Sequence, residues 1–129
     1  MHRDRIEASL STALQHLDDS IQTLSVNNDE QALSDLLWSA LAETEYAVFL
    51  LALSQGDKSE SASWKQSSST KQSIAFGSAV TSARELIESA TAKIETGDFE
   101  ESYKETWVAR NLLRKAHELL EKKLKKSRM

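Results

Sequence analysis

The chain has 129 residues, of which 40% are hydrophobic and 28% charged, the composition of a single globular domain. It contains no cysteine, which excludes a disulfide framework, a thiolate metal site and a cysteine nucleophile. The net charge of −4 is unevenly divided, since residues 1–109 carry 8 basic and 18 acidic side chains and residues 110–129 carry 8 basic and 2 acidic ones.

With no proline and three glycines, the chain has little that would interrupt long helices. The first predicted helix covers about residues 4–25, because apolar residues recur there every three or four positions and form one narrow stripe. This stripe consists of Ile6, Leu10, Leu14, Leu17, Ile21 and Leu24. The sequence SVNND then breaks the pattern, and Asn27 or Asn28 can cap the next helix, with Glu30 or Gln31 as the capping-box partner.

The second predicted helix, about residues 29–55, contains the most apolar segment of the chain. In residues 36–53, LLWSALAETEYAVFLLAL, two glutamates are the only charged side chains. A helix that is apolar around most of its circumference needs neighbours on several sides. We therefore expect the other three helices to enclose it and to bury Val48, Phe49 and Leu51.

The same segment is at the lower length limit for a membrane-spanning helix, and its two glutamates would be costly in hydrocarbon. A core helix is therefore favoured over membrane association. The N-terminal sequence MHRDRIEASL is charged and lacks the apolar region of a secretory signal. Both observations favour a cytoplasmic location.

Residues 54–73, SQGDKSESASWKQSSSTKQS, are predicted to form a long surface connection, because they hold eight serines and no periodic apolar set. Gly56 can end the preceding helix in a left-handed conformation. Trp64 either anchors this connection to the core or binds a ligand.

The third predicted helix covers about residues 70–96 and the fourth about residues 99–126. Gly97 and Asp98 mark the boundary between them, with Glu101 completing a capping box after Asp98. The apolar faces comprise Ile74, Phe76, Val80, Ala83, Ile87, Ala90 and Ile94 in the third helix, and Phe99, Tyr103, Trp107, Leu112, Leu113, Ala116, Leu119, Leu120 and Leu124 in the fourth.

These elements predict an all-α fold, a four-helix antiparallel bundle that forms one domain over residues 1–129. A faint internal repeat indicates two similar helical hairpins, residues 4–55 and 70–127. We call its alignment the Trp38/Trp107 register. In this register the repeat also aligns Asp29 with Asp98, Ala40 with Ala109, Ala47 with Ala116, Leu50–Leu51 with Leu119–Leu120, and Leu17 with Leu86.

Neither Glu-x-x-His nor His-x-x-x-His occurs around the three histidines, so we expect no metal site and no cofactor. Glu43 and Glu45 are the carboxylates of the most apolar helix, and their side chains point about 200° apart around its axis. Each is expected either to reach an edge of the bundle or to pair with a basic residue of another helix. The alternative is a buried carboxylic acid with a raised pKa.

Arg110 and His117 are the strongest candidate pair for chemistry. Seven residues apart, they project from one helix face about 20° apart and roughly 10 Å along the axis. Glu121 follows one turn later and could orient the imidazole. An arginine that holds a phosphate and a histidine that transfers a proton would suit RNA cleavage, in which the 2′-hydroxyl can attack. The alternative is that both are ordinary polar residues of a basic helix.

The segment from Ala83 to Leu124, with AREL and GDFEESYKETWVARNLLRKAHELLEKKL, is similar to the small prokaryotic helical proteins of the HEPN superfamily. It resembles in particular the archaeal PaREP1-like branch, in which a Gly-Asp turn precedes a helix bearing Trp-x-Ala. This resemblance implies an all-helical, often dimeric bundle and, in active members, metal-independent RNA cleavage at the dimer cleft. Arg110, Asn111 and His117 match the catalytic motif of the superfamily. Many of its members lack this activity or only bind RNA.

The C-terminal end of the fourth helix carries a basic cluster, which consists of Lys122, Lys123, Lys125, Lys126 and Arg128. These cations either complement the helix dipole as a solvated helix end or attract RNA phosphates in a salt-sensitive way.

Two functions follow as alternatives. The first is a non-enzymatic interaction or assembly protein, a homodimer or a binder of another protein, because the second helix has more apolar surface than three half-polar helices need. The second is a HEPN-like metal-independent ribonuclease or RNA-binding protein that uses Arg110, Asn111 and His117.

Overall fold

A computed structural model of the protein describes residues 3–26, 30–55 and 76–128. Within those residues there are four α-helices and no strand, so the predicted all-α fold is confirmed. The helices are α1 (Arg3–Val26), α2 (Glu30–Gln55), α3 (Phe76–Glu95) and α4 (Phe99–Arg128).

Each helix packs mainly against two others, and neighbouring helices run antiparallel. α2 lies between α1 and α4, and α3 lies between the same two helices on the opposite side of the bundle. At the α2–α4 contact, the Ser34 hydroxyl donates to Glu121 Oε1 over 2.8 Å. Further along α2, Glu45 contacts Arg114, which comes earlier in α4. This order of contacts shows the antiparallel direction, and the predicted four-helix antiparallel bundle is confirmed.

α1 and α3 are likewise antiparallel, since Arg84 pairs with Asp18 and the charge of Glu95 acts on Arg3 at the start of α1. The diagonal helices α2 and α3 therefore run in the same direction, and α2 ends at the opposite end of the bundle from the start of α3. Residues 56–75 link these two ends. The predictions for residues 56–73 of the serine-rich connection, with Gly56 and Trp64, lie outside the described residues. So do the predicted start of the third helix at residues 70–75 and the cap predicted at Asn27 or Asn28.

The turn between α3 and α4 confirms the predicted pairing of Gly97 and Asp98. Gly97 has a φ of 85°, a left-handed conformation that glycine adopts without a Cβ clash. Its N–H donates to Ile94 O over 3.0 Å and the Asp98 N–H donates to Lys93 O over 2.8 Å, which together form a Schellman motif. Asp98 Oδ1 then accepts from the Glu101 N–H at 3.2 Å and caps α4.

The two hairpins bury matching positions, as the predicted repeat requires. In α2 and α4 the match holds in the Trp38/Trp107 register. The buried pairs are Leu33/Ser102, Ser34/Tyr103, Leu37/Thr106, Ala40/Ala109, Thr44/Leu113, Ala47/Ala116 and Leu51/Leu120. In α1 and α3 the burial patterns match when the alignment is shifted by one residue from this register. Buried Leu17 then corresponds to buried Ile87 rather than to Leu86.

The expectation that other helices enclose all of the second helix is wrong for one face. Val48 and Leu51 are buried as predicted, but Phe49 is 57% exposed. The physical reason is that α3 lies diagonally across the bundle, so α2 has two close neighbours and not three.

By length and composition alone, Glu30–Ser54 is the one described segment that could cross a membrane, since its mean hydropathy is 1.5.

Candidate functional site

Four large apolar side chains of α2 face solvent, and they all lie on one side of the helix. Trp38 is 61% exposed, Tyr46 42%, Phe49 57% and Leu53 53%. With exposed Ala42 between them, they occupy a sector about 80° wide and about 22 Å long. We call Trp38, Ala42, Tyr46, Phe49 and Leu53 the α2 stripe.

The second hairpin provides an internal comparison for this surface. In the Trp38/Trp107 register, Ala42, Tyr46, Phe49 and Leu53 of the α2 stripe correspond to four polar residues of α4. These are Asn111, Lys115, Glu118 and Lys122. Only Trp38 has an aromatic equivalent, Trp107. The same position in the bundle is therefore compatible with a polar surface, and the apolar character of the α2 stripe is not a requirement of the fold.

A groove of about 410 Å³ runs beside the α2 stripe, between α2 and α4. Its lining consists of Trp38, Leu41, Ala42 and Glu45 from α2 and Arg114, His117 and Glu118 from α4. The His117 ring lies against the Trp38 indole, with 5.3 Å between ring centroids and 44° between their planes. The groove is therefore partly aromatic, with charged groups along its α4 wall.

An ion pair crosses the two helices at the groove. Arg114 donates to Glu45 Oε1 from Nη2 over 2.7 Å and from Nε over 3.1 Å. The expectation that Glu45 pairs with a basic residue of another helix is thus confirmed. Both side chains are about half exposed, so this pair contributes on the order of 1 kcal/mol or less to stability. Its main consequence is to place one charged pair in the lining of the groove.

Arg110 lies beside the groove but does not line it. Its Cζ lies 5.4 Å from the centroid of the Trp107 ring, and its Nη2 donates to Asn111 Oδ1 over 3.2 Å. The Nε atom is enclosed and makes no hydrogen bond to any described residue. Burial lowers the pKa of Arg110, and the positive charge of Arg114 lowers it further. The guanidinium remains a cation at neutral pH because its usual pKa is far above 7.

His117 is only 19% exposed, and Glu121 does not form a hydrogen bond with it. The distance from His117 Nε2 to Glu121 Oε1 is 3.7 Å, whereas the same carboxylate oxygen accepts from the Ser34 hydroxyl over 2.8 Å. The structure therefore brings His117 together with Trp38 and Arg114. It keeps Arg110 with Trp107 and Asn111, one to two turns away along α4.

Leu41 and Val48 explain the position of Arg110 and His117 in the bundle. They are the α2 equivalents of Arg110 and His117 in the Trp38/Trp107 register, and both are largely buried, at 7% and 8% exposure. Arg110 and His117 thus occupy the rim of the core, where their stems and rings pack against aromatic side chains while their polar ends approach the surface.

The structure describes only part of the basic cluster. Lys123 Nζ lies 3.0 Å from Glu30 Oε1 at the start of α2, which ties the end of α4 to the body of the bundle. Lys122 and Lys125 are exposed, and the side chains of Lys126 and Arg128 lie outside the described residues. Within residues 3–26, 30–55 and 76–128, no group of three or more His, Cys, Asp or Glu side chains could hold a metal ion.

Sequence reasoning did not single out Arg114. It assigned Phe49 to the core and used Trp38 only to align the repeat. The signal that could have identified this surface is the internal repeat, whose alignment sets apolar side chains of α2 against polar ones of α4. No family model, no curated protein and no solved structure matches this chain.

Proposed function

We propose that this protein is a small cytoplasmic interaction protein that self-associates as a homodimer through the α2 stripe and catalyses no reaction. The observation that carries this proposal is the exposure of Trp38, Tyr46, Phe49 and Leu53 on one side of a helix. Contiguous apolar patches of this kind mark interaction sites on soluble proteins. The polar equivalents on α4 support the proposal, because they indicate that the patch serves something other than folding.

The size of the stripe is adequate for a dimer contact. Its four large side chains leave on the order of 400 Å² exposed per protomer. A stable interface uses about 800 Å² from each partner. Half of that area would therefore come from the stripe, and the polar side chains of α4 beside the groove would form the rim. An apolar centre with a charged rim is the usual anatomy of such a contact.

Phe49→Glu is the test of this proposal. We expect the wild-type chain to sediment at twice its mass of 14.4 kDa at tens of micromolar. The variant should sediment as a monomer with unchanged helical circular dichroism, because a carboxylate would be desolvated in the interface. The dissociation constant should rise roughly a hundredfold or more.

Ala92→Glu is the matched control, since it places the same new charge on an exposed position of α3 away from the stripe. It should leave the dissociation constant unchanged. A wild-type chain that is a monomer at tens of micromolar would contradict the proposal, and so would a Phe49→Glu variant that dimerises as tightly as the wild type.

A metal-independent ribonuclease or RNA-binding protein is the second candidate, favoured by one observation. Arg114 and His117 line the same groove, and Arg110 lies on the same face of α4. A guanidinium could hold a phosphate there, and the imidazole could transfer the proton of an attacking 2′-hydroxyl. Lys122, Lys123, Lys125, Lys126 and Arg128 would add a salt-sensitive attraction for the RNA backbone.

Incubation with structured RNA in the presence of a chelator tests the second candidate. If it is correct, the wild type cleaves the RNA, His117→Ala lowers the rate by about 100-fold or more, and Arg110→Ala has a comparable effect. Cleavage that survives His117→Ala would identify a contaminating nuclease. Absence of cleavage by the wild type would remove the enzymatic function and leave only RNA binding, which a filter assay at two salt concentrations measures.

A further inference from the structure

We propose that the groove between α2 and α4 is the receptor for Phe49 of a second copy of this chain, in an antiparallel α2–α2 dimer with its two-fold axis between Glu45 and Tyr46. This inference rests on the proposed self-association and adds its register and its central contact.

The shape of the groove supports this occupant. Trp38, Leu41, Ala42 and Glu45, its lining on α2, are spaced i, i+3, i+4 and i+7. That spacing is the four-residue hole that receives one side chain of a facing helix in knobs-into-holes packing. Ala42 is the smallest member, so the hole is deepest over it. An aromatic ring approaching Ala42 would lie between the Trp38 indole and the Glu45–Arg114 pair.

The pattern of the stripe is complementary to itself in only one direction. If Ala42 faces the partner's Phe49, an antiparallel helix also places Trp38 opposite the partner's Leu53. Glu45 then lies next to the two-fold axis beside the partner's Glu45, and each carboxylate is paired with Arg114 of its own chain. The small residue meets a large one, and the two ends of the stripe cover each other. A two-fold axis repeats each of these contacts, as an isologous interface requires.

A parallel dimer lacks this complementarity. It would place each residue opposite its own copy. Ala42 would face Ala42 and leave a gap between the larger aromatic side chains, and unfilled volume loses packing contacts. The antiparallel arrangement therefore fits the volumes of the stripe.

A lipid surface is a poorer occupant. The groove wall holds Glu45, Arg114 and Glu118 at the level of Ala42 and Trp38. Immersion of Phe49 in hydrocarbon would draw these charged groups into the interfacial region, at a cost that a protein partner with a polar rim avoids.

A knob-and-hole exchange tests the contact. Phe49→Ala empties the groove and Ala42→Phe fills it, so each single variant should weaken dimerisation roughly tenfold or more. The double variant Ala42→Phe/Phe49→Ala swaps knob and hole across the two-fold axis, and we expect it to dimerise far more tightly than the product of the two single effects. Ala92→Phe combined with Phe49→Ala is the control. It should not restore dimerisation, because residue 92 lies on α3.

Spin labels measure the register directly, and the absence of native cysteine makes single labelling sites straightforward. In the proposed dimer, labels at Gln31→Cys should be about 43 Å apart along the helix axes and labels at Ser54→Cys about 25 Å apart. In a parallel dimer, each of the two label pairs would be about 10 Å apart, which is the distance between neighbouring helix axes. Gln31 and Ser54 are both exposed. In this register Gln31 lies beyond the end of the partner's α2 and Ser54 points away from the stripe, so neither label should alter dimerisation.

The outcomes separate this inference from the proposed function. A wild-type monomer overturns both. A dimer that Phe49→Glu disrupts, but that shows parallel distances or no recovery in the double variant, overturns the register and leaves self-association standing. A monomer that binds vesicles of anionic lipid and loses this binding in Phe49→Glu overturns the second copy as the occupant.

Discussion

Leu51→Ala is expected to lower the free energy of unfolding by about 2–5 kcal/mol. Leu51 is fully buried in α2 among residues of the shared core. Truncation removes the transfer free energy of the side chain and leaves a cavity that the surrounding helices close only in part. Because a domain of this size is stable by about 5–15 kcal/mol, the loss is a large fraction of the total. Urea unfolding followed by circular dichroism gives the value.

Leu53→Ala is the matched control, because it makes the same chemical change two residues further along α2 at a side chain that is 53% exposed. Both variants should be made in the Phe49→Glu background, so that self-association does not contribute to stability. We expect a change of about 0.5 kcal/mol or less for Leu53→Ala. Equal losses at the two positions would show that Leu51 does not lie in the core.

Ala90→Leu is expected to destabilise the bundle by about 1–3 kcal/mol although it adds apolar volume. Ala90 is fully buried in α3, and its carbonyl oxygen accepts a hydrogen bond from the Ser102 hydroxyl of α4 at 3.0 Å. That contact holds the two helices close together at this point. A leucine side chain would force them apart or take a strained rotamer, and either response weakens the buried hydrogen bond.

Ala92→Leu isolates this steric effect from helix propensity. Residue 92 is exposed on the same helix, and alanine and leucine are both strong helix formers. Its free energy of unfolding should change by about 0.5 kcal/mol or less. If Ala90→Leu proved as mild as Ala92→Leu in the same urea titration, the α3–α4 contact would have to be looser than the structure shows.

The candidate site illustrates how two similar hairpins diverge on one surface. Core positions of α2 and α4 agree across the repeat, whereas the outer face is apolar in α2 and mostly polar in α4. At the rim of the core, Arg110 and His117 of α4 replace the Leu41 and Val48 of α2. A polar α4 wall therefore lies beside an apolar α2 stripe, and both proposed functions start from the groove between them.

The sequence by itself determined the four helices and the turn at Gly97. In α1, α3 and α4, apolar residues alternate with polar ones at the period of a helix, so one face of each is distinguished from the rest. A glycine before an acidic cap likewise specifies how α3 ends and α4 begins, because these signals act between residues close together in the chain.

Only the tertiary structure decided which side of α2 is left uncovered. Because this helix is apolar on almost every side, periodicity provides no contrast by which to choose its buried face, and the positions of α1 and α4 make the choice. The same holds for the meeting of Trp38 with His117 and of Glu45 with Arg114. Those contacts depend on how far α2 and α4 are displaced along each other, and the packing of the whole core sets that displacement.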